Sequence, residues 1–236
     1  MRRVVLSAAL LVLAQEAWPA SRSDNVQTFR LSDGWAEVEW ISQSSFRWTR
    51  AWGRRPEKRK PIKDKRVELS RKDLGDRWQF STSYLQVEVD KTGVRFRVTN
   101  DDGEPLVEAA AVRKAPGGVE LEFPLAPAER FYGMGVRTGT PLDMRGQVIQ
   151  TERPFLISSM GYGEYYRGAR EYVFDLGQGQ AGQRLVTVRG GDSVDYFFYY
   201  GPSPKEILEE HVVLGAPGAD LHSGDFGILE AGKVRA

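Results

Sequence analysis

The chain has 236 residues, 41% of them hydrophobic and 28% charged, with a formal net charge of +1 and no cysteine. That length buries a full core without disulfides or a structural metal, and the lack of cysteine excludes thiol nucleophiles, disulfide frameworks and Cys-based zinc sites. A charge so near zero gives no reason to expect a polyanion partner or an acidic disordered tail.

The opening "MRRVVLSAALLVLAQEAWPASRS" sets two arginines before an apolar run from Val4 to Ala14, followed by small residues at Ala17 and Ala20. A secretory signal peptide has this order of parts, and the run is too short to span a bilayer as a helix. Residues 1–20 are therefore expected to direct export to the periplasm or the exterior, with cleavage after Ala14, Ala17 or Ala20. The alternative is an apolar first helix of a cytosolic protein.

After this segment, "TFRLSDGWAEVEWIS" alternates apolar and polar residues around Asp33-Gly34, which predicts a hairpin of residues 28–31 and 35–41. The basic stretch "RAWGRRPEKRKPIKDKRVELSRKD" follows, with Trp48 and Trp52 beside it. Basic residues next to aromatics can bind nucleic acid. Glu57, Asp64 and Glu68 dilute the run and two prolines interrupt it, so a solvated loop or exposed hairpin is expected and no nucleic-acid partner.

The two-residue period returns in "SYLQVEVDKTGVRFRVTNDDGEPLVEA", where Leu85, Val87 and Val89 precede a Lys91-Thr92-Gly93 turn and Val94, Phe96 and Val98 follow it. Asp101-Asp102-Gly103 supplies the next turn. One apolar and one charged face per strand is the mark of antiparallel sheet with a solvated side. Further strands fit residues 119–123, 155–159, 172–175, 185–189 and 195–200. Only "SPKEILEEHVVLG" reads as helix, with Ser203 as N-cap, Pro204 at the first helical position and Gly215 as the stop. Many short strands with frequent turns predict an all-β antiparallel β-sandwich with one short C-terminal helix.

Two glycine pairs, Gly133/Gly135 and Gly161/Gly163, sit among aromatics in "ERFYGMGVRTGTPLDMRG" and "RPFLISSMGYGEYYRG". They fit either strands with bulges or a carbohydrate-facing edge where rings beside small residues make sugar platforms. Conventional catalytic sets are missing. The two histidines, His211 and His222, have no second metal ligand at i+4 and no Gly-x-Ser-x-Gly partner, and "GMGVRTG" lacks the third glycine of a dinucleotide fingerprint. Asp143, Glu152, Glu164, Asp175 and Asp195 are available to a glycosidase's carboxylate pair, but spacing cannot pair them. No cofactor or metal is implied.

The ordered segments "FYGMGVRTG", "LDMRG", "RPFLISSMGYGEYY", "YVFDLGQ" and "VDYFFYYGPSPKEILEEHVVLGAP" resemble the N-terminal region of glycoside hydrolase family 31, the α-glucosidase and α-xylosidase family. The likeness is strong from Phe131 to Pro217 and weak before Ser81. It implies a galactose-mutarotase-like sandwich that, in the family, precedes a catalytic (β/α)8 barrel. It further implies that the loop of residues 143–155 leans over the barrel mouth, with Asp143, Arg145, Gln147 and Glu152 as hydrogen-bonders to substrate and Tyr162 and Tyr165 as ring platforms.

The domains implied are a signal peptide at 1–20, the sandwich at 21–201, and a helix with the start of a barrel at 202–236, where "DFGILEAGK" echoes a first barrel strand. No residue matches the family's nucleophile or general acid/base. The expectation is the non-catalytic N-terminal domain of an exported α-glycoside hydrolase, inactive by itself. Its partners are an α-linked oligosaccharide or glycoside and a catalytic barrel, with no membrane span. The alternative is a free-standing secreted carbohydrate-binding module. An aldose mutarotase, suggested by fold analogy alone, would need a histidine on the concave sheet face, and none precedes His211.

Overall fold

The computed structural model describes residues 25–53, 55, 67–92, 95–135 and 141–213. The proposed signal segment, most of the basic stretch, the Gly215 stop, His222 and residues 225–233 lie outside them. In chain order the strands are β1 Val26–Leu31, β2 Gly34–Trp40, β3 Ser45–Trp52, β4 Ser70–Asp73, β5 Arg77–Ser81 and β6 Leu85–Asp90. Then come β7 Phe96–Asn100, β8 Pro105–Ala109, β9 Ala111–Ala115, β10 Gly118–Pro124, β11 Phe131–Gly133 and β12 Val148–Thr151. The last are β13 Phe155–Ser158, β14 Tyr162–Arg167, β15 Glu171–Asp175, β16 Gln183–Arg189 and β17 Ser193–Tyr200, followed by helix α1, Pro204–Val213.

These strands form an antiparallel sandwich. One layer is a seven-stranded sheet in the order β1-β2-β3-β17-β14-β13-β11. The other consists of two five-stranded sheets, β4-β5-β6-β7-β8 and β12-β15-β16-β10-β9. The chain crosses between these two through Ala110 alone, whose N–H donates to the Glu122 carbonyl at 2.8 Å.

The predicted alternation explains the layering. In β2 the residues Ala36, Val38 and Trp40 point inward, as do Val87 and Val89 in β6 and Val119, Leu121 and Phe123 in β10; all belong to one buried cluster that draws on every sheet. Rings meet across the layers. Trp48 lies 5.1 Å from Phe96, Phe96 5.5 Å from Tyr196, and Tyr166 packs edge-on to Phe174 at 5.5 Å. Such pairs stabilise beyond the apolar area they remove from water.

The hairpin of β1 and β2 and the one helix among the described residues lie where the sequence places them. The central strand β3 does not stand out in the sequence, because "SFRWTRAW" carries arginines at positions 47 and 50 that would usually mark a solvated face. Both are buried in the structure, 5% and 1% exposed. Arg50 donates to the Ala51 carbonyl at 2.7 Å and pairs with Asp33.

Candidate functional site

The outer face of the seven-stranded sheet, turned away from the sandwich core, carries a second apolar cluster of Ile41, Phe155, Ile157, Phe197, Tyr199 and Ile207, flanked by Tyr132, Tyr165 and Leu208. Helix α1 covers part of it. Its start is a capping box: the Glu206 carboxylate accepts from Ser203 N–H at 3.0 Å and Ser203 Oγ accepts from Glu206 N–H at 3.5 Å, on either side of Pro204. About one turn after Glu206, Glu210 accepts hydroxyl bonds from Ser42, Ser44 and Ser45 at 2.9–3.1 Å, tying the helix to the β2–β3 turn.

His211 is 2% exposed. Its ring stacks on Phe155 at 4.2 Å, and its Nδ1 lies 3.1 Å from the Tyr199 hydroxyl.

This packing accounts for the glycines. A Cβ at Gly163 would overlap Cγ2 of Ile207, and one at Gly201 would lie 2.7 Å from Glu206 Cβ, so both glycines let the helix lie flat on the sheet. Gly133, Met134 and Gly135 all take positive φ, 109°, 58° and 83°, turning the chain after β11. A Cβ at Gly133 would press on the Phe155 carbonyl at 2.6 Å.

Beside the apolar cluster runs a charged row. Arg47 on β3 binds both carboxylate oxygens of Asp195 on β17, at 2.5 and 2.7 Å, and reaches Glu39 on β2 at 3.4 Å. Burial opposes the charged guanidinium, but the hydrogen bonds and charge of Asp195 outweigh it and hold Arg47 above its ordinary value. All three residues are at most 6% exposed.

The residues expected to touch sugar separate into different environments. Asp143 accepts from the N–H groups of Phe131 and Arg145 at 3.3 and 3.1 Å, with Arg130 at 3.6 Å. Arg145 donates to the carbonyls of Ala126 and Glu129 at 2.8 and 2.7 Å, and Gln147 to the Asp143 carbonyl at 3.3 Å. These three brace the approach to β12, while Glu152 stands exposed beyond it.

Tyr162 is 1% exposed inside the sandwich and donates to Glu129 at 2.6 Å, so its ring presents no face to a ligand. Its own alternation in β14 shows why: Tyr162, Glu164 and Tyr166 point inward, whereas Tyr165 points outward to His211, 5.0 Å away.

The other carboxylates are committed as well. Glu164 is fully buried and receives two bonds from Arg184 of β16, at 2.5 and 2.8 Å, and one each from the Tyr166 and Tyr196 hydroxyls at 3.1 Å. Asp175 accepts from the N–H groups of Gly177, Gln178 and Gly179. Among the described residues no cluster of three His, Cys, Asp or Glu side chains could hold a metal ion, and no helix is long and apolar enough to cross a membrane.

Comparison with known proteins fits this geometry. Residues 25–155 match the family described as the glycosyl hydrolase 31 N-terminal galactose mutarotase-like domain. The alpha-xylosidase XylQ of Lactiplantibacillus pentosus is 32% identical over 100 residues, 36% of this chain and 13% of its own. An alpha-xylosidase of Emericella nidulans is 28% identical over 121 residues, 45% of this chain and 15% of its own. The chain thus spans about a seventh of the length of these relatives.

In fold it is similar to a GH31 dextranase of Flavobacterium johnsoniae complexed with isomaltotriose, with a TM-score of 0.69 at 16% identity over 80% of this chain and 26% of that one. A GH31 alpha-xylosidase from a soil metagenome, complexed with xylose, gives 0.63 at 18% identity over 78% of this chain and 32% of that one. Sandwich, helix and sequence match together lead to one assignment: the chain belongs to the glycosyl hydrolase 31 N-terminal galactose mutarotase-like domain family.

Proposed function

We propose that the chain serves as the sandwich domain of an exported family 31 enzyme acting on α-linked glycosides, and that its work is to carry and brace a catalytic barrel. The observation that supports this most is the outer face of the seven-stranded sheet, where α1 is clamped by Ile207, Glu210 and His211 beside an aromatic cluster. A helix fixed in this way sets the direction in which the chain continues and leaves the half-buried rings of Tyr132 and Tyr165 at its flank. Faces of that composition suit protein contact more than water.

Bond-breaking carboxylates belong to the barrel in this reading. Asp143, Arg145 and Gln147 hold the rim in shape rather than gripping sugar, and exposed Glu152 is the rim residue left to reach a substrate. Residues 1–20 act as the export signal.

The test is an assay with nitrophenyl α-xyloside and α-glucoside. The full chain is examined alone and co-expressed with the barrel portion of the Lactiplantibacillus pentosus alpha-xylosidase. The expected result is no hydrolysis by the chain and recovery of folded, active barrel on co-expression. Hydrolysis by the chain alone, or a barrel indifferent to its presence, would overturn the reading.

A further inference from the structure

The outward face of the sheet β4-β5-β6-β7-β8 lies on the opposite side of the sandwich from α1. In β6, Leu85, Val87 and Val89 enter the core, which turns Gln86 and Glu88 outward; in β7, Phe96 and Val98 do the same for Arg97. Gln86 stands opposite Thr99, and Glu88 opposite Arg97. The pairing of β7 with β8 slips between Val98 and Thr99, and the chain then turns through Gly103 at φ 80°. Bulge and turn leave a depression of about 170 Å³ lined by Gln86, Glu88, Arg97, Thr99 and Gly103. Tyr84, in the bend just before β6, is 50% exposed.

Of the polar groups here, Glu88 accepts from Arg77 of β5 at 3.4 Å through one carboxylate oxygen, while Gln86, Arg97 and Thr99 are uncommitted. Arg97 lies in register between Glu88 of β6 and Glu108 of β8 and forms an ion pair with neither. Several other arginines on the same layer are paired: Arg77 reaches Glu88 at 3.4 Å, Arg113 reaches Glu120 and Glu122 at 2.8 and 2.9 Å, and Arg189 reaches Glu171 at 2.8 Å. Among the described residues no side-chain hydrogen bond engages Gln86, Arg97 or Thr99.

We propose that this depression is a surface subsite for one ring of a neutral oligosaccharide, separate from the barrel-facing side. Adjacent sugar hydroxyls both donate and accept. The Arg97 fork can donate to two neighbouring oxygens, Glu88 can accept from a hydroxyl, and the Gln86 amide and Thr99 hydroxyl can each do both. Tyr84 offers an aromatic face at the rim. The volume falls below the roughly 300 Å³ at which pockets begin to enclose drug-sized ligands, which suits a single ring held at the surface.

The inference rests on the carbohydrate reading above but uses different residues, so the two can fail separately. The experiment is an NMR titration of the full ¹⁵N-labelled chain with isomaltotriose. Shifts are expected to cluster at the amides of Gln86, Glu88, Arg97, Thr99 and Gly103, with a millimolar dissociation constant. Arg97→Ala and Thr99→Val should each weaken binding by about tenfold with an unchanged melting temperature, while Arg113→Ala binds normally. Silence of these amides at tens of millimolar sugar, shifts located elsewhere, or variants that bind like the parent chain would overturn the subsite. None of those results bears on recovery of a barrel by co-expression.

Discussion

The most demanding residues are those that bury charge. Glu164 and Arg184 bridge the two layers at 0% and 1% side-chain exposure, and every oxygen of the carboxylate is occupied. Burial opposes the Arg184 charge, and the charge of Glu164 reverses that and lifts Arg184 well above its usual value. A buried pair is costly to assemble and costlier to break, since removing one partner strands the other. Arg184→Met should therefore lower stability by about 3–5 kcal/mol in urea unfolding. A loss below ~1 kcal/mol would show that water reaches the site.

The buried tyrosines give a pH dependence. Burial is the leading cause that pushes Tyr162, Tyr166, Tyr196 and Tyr199 well above their ordinary value, and it raises Tyr172 to about 12. A raised folded-state value means that the native state keeps protons which the unfolded chain has released. The stabilisation is complete below the unfolded value near 10 and is lost as pH climbs through the folded values. Thermal melting should be insensitive to tyrosine ionisation at neutral pH and fall steeply from about pH 10 upward. A flat profile to pH 12 would contradict the burial of these hydroxyls.

At the scale of elements, sequence legibility followed the environment of each strand. Strands with one solvated face, such as β2, β6 and β10, alternate visibly, and α1 announced itself through Ser203 and Pro204. β3 is sandwiched on both faces, so its pattern is set by partners remote in sequence, Asp33 and Asp195, which no local period reveals. β14 misled for a related reason. Its run of tyrosines looks like a platform, but strand alternation sends Tyr162 and Tyr166 inward to Glu129 and Glu164 and only Tyr165 outward.

The role of Gly163 was equally hidden, because the atom that forbids a side chain there belongs to Ile207 on the helix. Gly163→Ala should push α1 off the sheet at a cost of about 1–3 kcal/mol, read as earlier amide exchange across residues 204–212. Unchanged exchange would mean that the helix does not depend on that contact.

The whole molecule is two-faced. One outer surface carries α1, aromatic rings and a buried Arg47–Asp195 pair; the other, over β6 and β7, is polar and concave. The relatives of known sequence extend several times further than this chain does.

In the proposed function the α1 side is the barrel-bearing side. Hydrogen–deuterium exchange on the full chain, alone and with the co-expressed barrel, tests it most directly. New protection is expected in β13, β14, β17 and α1 with β6 and β7 unchanged. Protection confined to β6 and β7, or none at all in a complex shown to form, would contradict it.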